Sequence, residues 1–68
     1  MNMIRLHEWR YNNGAYGITD IICNIDEISS VQEMDYRDYV SGSIIIMNTG
    51  KQFTVKEKVN EIYNMLAE

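Results

Sequence analysis

Apolar and polar residues alternate on both sides of Asn13-Gly14, and this alternation sets the first pair of elements. Asn-Gly is a strong two-residue hairpin signal, because a type I′ turn needs positive φ at both central positions. With these two residues as the loop, Asn12 faces Ala15, Tyr11 faces Tyr16, Trp9 faces Ile18, His7 faces Asp20, Leu6 faces Ile21 and Ile4 faces Cys23. Directly opposed residues share a sheet face. One face therefore collects Ile4, Leu6, Ile21 and Cys23. The other collects Arg5, Ile22, His7, Asp20, Trp9, Ile18, Tyr11 and Tyr16, and is aromatic towards the tip.

Thr49-Gly50 predicts a second hairpin. A two-residue loop there pairs Ile46 with Phe53 and Ile44 with Val55 on one face, and leaves Ile45, Met47, Gln52 and Thr54 on the reverse. The run Ile44 to Met47 is apolar on both faces, the mark of a strand covered on both sides. Between the hairpins, Ile28 to Met34 reads as a middle strand, preceded by a turn at Asn24 and Asp26, whose side chains can bond the nearby backbone. Asp35 to Ser41 reads as a loop or strand extension. Thr54-Val55-Lys56-Glu57 has the form of a capping box. Val55, Val59, Ile62, Tyr63 and Leu66 then recur at helical spacing as one apolar stripe, with Lys56, Glu57, Lys58, Asn60, Glu61 and Asn64 facing water. The expected fold is α+β, a single domain over 1–68: a small antiparallel β-sheet of four to five strands (two hairpins) followed by one C-terminal amphipathic helix.

One helix covers one face of such a sheet. The opposite face then exposes Ile22, Ile45, Met47 and Trp9, and an apolar patch of that kind marks an interface. A core this small rarely stabilises by more than about 3–5 kcal/mol, and oligomerisation is one of the few available staples. The expectation is a homodimer or higher oligomer, formed through Ile22, Ile45 and Met47 on that face or by strand pairing at an edge.

Composition narrows the classes. A chain of 68 residues with one cysteine makes no internal disulfide and lacks the ligands of a zinc finger or ribbon. No apolar run approaches 18 residues, and the opening MNMIRLHEW lacks the long apolar stretch of a signal peptide. A soluble cytoplasmic protein with no membrane partner is expected. The net charge is −4, and neither half of the chain is basic. Nucleic-acid binders carry a basic patch or stripe, since phosphate contacts dominate affinity, so that class is disfavoured.

Candidate chemistry is sparse. His7 opposite Asp20 is an acid–base pair in principle, but Cys23 falls on the other face and supplies no nucleophile; the pair reads as a cross-strand stabiliser. Cys23 reads as a small buried hydrophobe. One His and one Cys on opposite faces hold no metal, and the loop carrying Asp35 and Asp38 lacks the EF-hand pattern, so no cofactor is expected. Trp9, Arg10, Tyr11 and Tyr16 are the group of interest. Aromatics with arginine are enriched at interface hot spots; they also suit a nucleotide, whose base stacks and whose phosphates want arginine. Tyr36 and Arg37 form a second such group able to join the first across an oligomer seam, and Arg5 is the remaining arginine that would converge there.

Asn24-Ile25-Asp26-Glu27-Ile28, followed by the stretch from Ser43 through Gly50 to Phe53-Thr54-Val55-Lys56-Glu57, resembles the small FlbD-like family of flagellar-operon and phage or prophage proteins. Met3-Ile4-Arg5-Leu6 looks like the family's first strand. The resemblance covers most of the chain except the first hairpin tip and 35–42, which look like insertions. It implies a small β-sheet plus helix and an accessory role, with no catalytic residues to carry over; the extended aromatic hairpin argues for a phage or mobile-element protein over a flagellar one. A weaker echo, Glu61-Ile62-Tyr63 with Leu66-Ala67-Glu68, resembles the C-terminal helix of CsrA-type RNA-binding regulators, whose RNA-holding basic residues find no match here.

Three functions follow in order of expectation. The first is a non-enzymatic homo-oligomeric accessory protein, phage or prophage encoded, that binds a host protein. The second is an oligomeric sponge sequestering a small signalling nucleotide. The third is a nucleic-acid-binding regulator, disfavoured by charge. An enzyme is not expected, because no nucleophile, base and orienter assemble.

Overall fold

The computed structural model describes residues 2–34 and 40–67. The chain runs β1 (Met3–Asn12), β2 (Ala15–Asn24), a 3₁₀ turn (Ile25–Glu27), β3 (Ile28–Met34), β4 (Gly42–Met47), β5 (Gln52–Val55) and α1 (Val59–Ala67). The strands form one five-stranded sheet in the order β2-β1-β5-β4-β3, every neighbouring pair antiparallel. The α+β expectation holds.

The first hairpin has the predicted register from Met3↔Asn24 to Asn12↔Ala15 without a slip. Asn13 and Gly14 take φ of 53° and 81°, the positive values that a type I′ turn requires. β1 touches β5 only briefly, through Glu8↔Val55 and a bond from the Lys56 N–H to the His7 carbonyl (2.7 Å). Beyond that point the hairpin leaves the sheet. Residues 10–18 are all exposed and form a two-stranded arm, which stretches the molecule to 36 Å against 20 Å in the other directions.

β2 and β3 lie at opposite ends of the strand order, yet three residues join them. The sheet rolls to allow this. The Cys23 Sγ of β2 lies 3.9 Å from the Met47 Sδ of β4, although β1 and β5 stand between their strands. The connecting turn is fastened at both ends: the Ile25 N–H donates to the Asn2 carbonyl and the Asn48 N–H to the Glu27 carbonyl. Asn24 Oδ1 accepts from the Asp26 N–H at 3.0 Å, the side-chain-to-backbone bond read from sequence.

The second hairpin departs from the reading by one residue. Ile46 pairs with Gln52, Ile45 with Phe53, Ile44 with Thr54 and Ser43 with Val55. The loop has three residues, Asn48-Thr49-Gly50, closed by Met47 N–H to Lys51 carbonyl and Gly50 N–H to Met47 carbonyl bonds, both 2.9 Å. Gly50 at φ 91° supplies the left-handed residue that follows the turn in three-residue hairpins. A one-residue slip moves every side chain to the other face. Ile45 is therefore completely buried in the core, and Met47 packs against that core. Both are removed from the expected oligomer interface, because the loop chemistry turns them inward; of that trio only Ile22, at 63% exposure, faces out.

The helix also starts later than expected. Thr54 and Val55 are the end of β5, and α1 begins at Val59. The bond characteristic of the capping box survives in a shifted frame: Glu61 Oε1 accepts from the Lys58 N–H at 3.0 Å. The stripe laid on the sheet is Val59, Ile62 and Met65, spaced i, i+3, i+6, with Ile62 fully buried and Met65 packed on the core. Tyr63 and Leu66, assigned to that stripe from sequence, are 68% and 37% exposed. The core cluster is Leu6, Cys23, Ile45, Val55 and Ile62. Met34 and Val40 are buried outside it.

Candidate functional site

The arm carries the side chains of interest on one face, because β-strand residues alternate and the register puts Tyr11, Trp9 and His7 opposite Tyr16, Ile18 and Asp20. Tyr11 and Tyr16 meet edge to face with centroids 5.0 Å apart. Trp9 meets Tyr16 diagonally at 6.3 Å and 89° between planes. Both geometries suit the ring quadrupoles. The Trp9 Nε1–H donates to the Ser41 carbonyl at 2.9 Å, tying the base of the arm to the chain just before β4. Tyr11, Tyr16, Ile18 and Ile22 remain between 45% and 64% exposed on this face. A large apolar surface left open in a small protein is the informative kind of exposure.

The arginines do not join it. Arg10 belongs to the opposite face, where its Nε and Nη2 bond Glu8 Oε1 at 3.1 and 3.0 Å. Strand alternation alone separates Arg10 from Trp9 and Tyr11, which corrects their grouping as one cluster. Arg5 shares the aromatic face but lies at the far end of the strand, four residues from Trp9, or roughly 13 Å along a strand. Tyr36 and Arg37 lie outside the described residues, as do Asp35 and Asp38.

At the base of the arm, His7 is held by two carboxylates. Its Nε2 lies 3.1 Å from Asp20 Oδ1, the cross-strand pair expected from register. Its Nδ1 lies 2.6 Å from Glu57 Oε2, and its backbone N–H donates to Glu57 Oε1 at 3.0 Å. Glu57 is only 7% exposed, whereas the sequence reading put it on the wet face of a helix. It sits in the crossing from β5 to α1, and the buried Ser43 hydroxyl donates to its carbonyl at 2.7 Å. Burial pushes the Glu57 carboxyl up. The bonds from the His7 ring and backbone, a backbone bond of its own and the His7 charge outweigh that and hold it below the ordinary 4.5.

Sequence reasoning found the His7–Asp20 half of this arrangement and missed Glu57, which is fifty residues from His7 and carries no local signal of its partner. Chemically the trio is a held imidazole. Cys23, the sole thiol, is 5% exposed on the other face, and burial pushes its pKa up, away from nucleophilic use. Among the described residues no group of three or more His, Cys, Asp or Glu could hold a metal ion, and no helix is long and apolar enough to cross a membrane. No protein-family model, curated protein or solved structure matches this chain.

Proposed function

We propose that this chain is a non-enzymatic, homo-oligomeric interaction module that acts by binding a host protein through the aromatic face of its β1–β2 arm. The observation that carries the reading is the open face of Tyr11, Tyr16 and Ile18 on the arm that projects past the sheet, with Ile22 exposed on the same face beyond Asp20. Tyrosines presented on a projecting two-stranded arm offer large, amphipathic contact area at small side-chain entropic cost. The FlbD-like resemblance of the strands around it supports an accessory role in a phage or prophage setting. The nucleotide-sponge reading loses its main support, since Arg10 is spent on Glu8 on the opposite face.

The test is capture from host lysate with the wild-type chain and with the Tyr11→Ala/Tyr16→Ala variant side by side. The reading expects a protein retained by the wild type and lost with the variant while both far-ultraviolet circular dichroism spectra show the same sheet. Equal retention by both chains overturns it.

A further inference from the structure

We propose that the free edge of β2 is the seam between two copies of this chain, paired antiparallel about a two-fold axis at Thr19. This deepens the homo-oligomeric part of the reading above and rests on it.

The two sheet edges are defended unequally. Natural edges avoid pairing through bulges, proline, lysine or a covering element. β3 has a register break between Ile28 and Ser30, and α1 packs against it. β2 has none of these devices: its ten residues run without a slip along β1 and contain neither proline nor lysine, and among the described residues nothing pairs with its outer edge. Its single charge, Asp20, is drawn back over the strand by His7 Nε2 at 3.1 Å.

Backbone parity then selects the register. The two-residue turn makes Asn12–Ala15 the closing hydrogen-bonded pair, and hydrogen-bonded and non-bonded pairs alternate from there. Tyr16, Ile18, Asp20 and Ile22 therefore direct their N–H and C=O groups away from β1, to the free edge. These must meet each other in the partner strand. An axis at Thr19 sets Tyr16 opposite the partner's Ile22 and Ile18 opposite the partner's Asp20. Moving the axis to Asp20 would oppose two carboxylates, which is destabilising. Moving it to Ile18 would oppose Ile22 to the turn residue Gly14. Thr19 is the position that pairs the most apolar surface without a charge conflict.

Edge pairing sets the exposed Tyr16, Ile18 and Ile22 of one copy beside those of the other and leaves the outer surface of the aromatic face, including Tyr11 on β1, open to a further partner.

The axis makes a sharp prediction. A residue on it faces its own copy in a non-hydrogen-bonded pair with Cα atoms about 4.5 Å apart, within disulfide reach. Thr19→Cys and Ala15→Cys, each in a Cys23→Ser background, are oxidised in air and run under non-reducing conditions beside native mass spectrometry of the wild type. The inference expects a wild-type dimer and Thr19→Cys at twice the 8.0 kDa chain mass, with Ala15→Cys uncross-linked because its copy lies roughly 26 Å away along the strand. A wild-type dimer with no Thr19→Cys cross-link, or with both variants cross-linked alike, overturns this seam and leaves the oligomer reading standing. A wild-type monomer with no cross-link overturns both.

Discussion

His7 and Glu57 are joined twice, backbone N–H to Oε1 at 3.0 Å and ring Nδ1 to Oε2 at 2.6 Å, and the first of these bonds replaces a missing rung of the sheet. His7 accepts from the Lys56 N–H as an antiparallel pair should. The return bond of such a pair would run from the His7 N–H to the Lys56 carbonyl; the Glu57 carboxylate takes that donor instead. The side chain thus finishes the β1–β5 ladder where β5 ends and anchors the crossing to α1. Removing it orphans a donor close to the core, so Glu57→Ala should cost about 2–3 kcal/mol in urea unfolding. The carboxyl is held below its ordinary 4.5 in the folded state. A group depressed in this way stabilises the fold fully above its unfolded pKa and loses that contribution as pH falls through the folded value. The stability gap between wild type and Glu57→Gln should therefore close as pH falls through the acid range below 4.5. A gap independent of pH down to acid unfolding would refute the role of the charge.

The one-residue slip of the second hairpin is testable by a pair of neighbours. Ile45 is completely buried and Ile44 only half-buried. Ile45→Ala opens a cavity in the core and should cost about 3–4 kcal/mol, enough to unfold much of a small domain. Ile44→Ala should cost clearly less, and the two-residue loop would have reversed the order.

The contrast between the two hairpins explains how much of the fold could be read from sequence. Asn13-Gly14 admits one turn type and one loop length, so every partner from Met3 to Asn24 followed from it. Thr49-Gly50 fits two loop lengths. Its glycine serves equally as a central turn residue or as the left-handed residue after the turn, and the strand is apolar at Ile44, Ile45 and Ile46 alike, so the alternation that normally settles register is silent. α1 was legible in period but not in start, because Glu57 satisfies the capping pattern from Thr54 while serving His7 in space. The aromatic face was legible because Trp9, Tyr11 and Tyr16 share strand parity; including Arg10 broke that same parity.

Gly42 is a position where only glycine fits. Its φ is 141°, and a Cβ built there would clash with the Val55 carbonyl oxygen and lie 2.8 Å from that of Lys56. The β4 backbone is thereby set directly against the end of β5. Gly42→Ala combines a forbidden conformation with a clash against backbone, and should cost at least about 3 kcal/mol or abolish folding. Gly17 is the control: a Cβ there meets nothing within 4 Å, and Gly17→Ala should leave stability unchanged or raise it by about 0.5 kcal/mol. Thermal melts of the two variants give the comparison.

Tyr16 stands at the centre of the arm's aromatic trio, in contact with both Trp9 and Tyr11. Each edge-to-face contact is worth about 0.5–1.5 kcal/mol, but the arm lies outside the core, so the loss should loosen the arm locally more than it lowers global stability. Tyr16→Ala should collapse the near-ultraviolet circular dichroism and shift the emission of Trp9, the sole tryptophan, while the melting temperature falls by only a few degrees. Amide exchange should accelerate from Arg10 to Ile18 and stay slow at Leu6 and Ile45. Trp9→Phe keeps a ring but removes the donor to the Ser41 carbonyl, and should cost about 1 kcal/mol. Arg10→Ala breaks only an exposed pair with Glu8 and should leave the arm's exchange untouched. If Arg10→Ala loosened the arm as much as Tyr16→Ala does, the arm would be held by its charged face, and the aromatic contacts would lose their standing as what orders it.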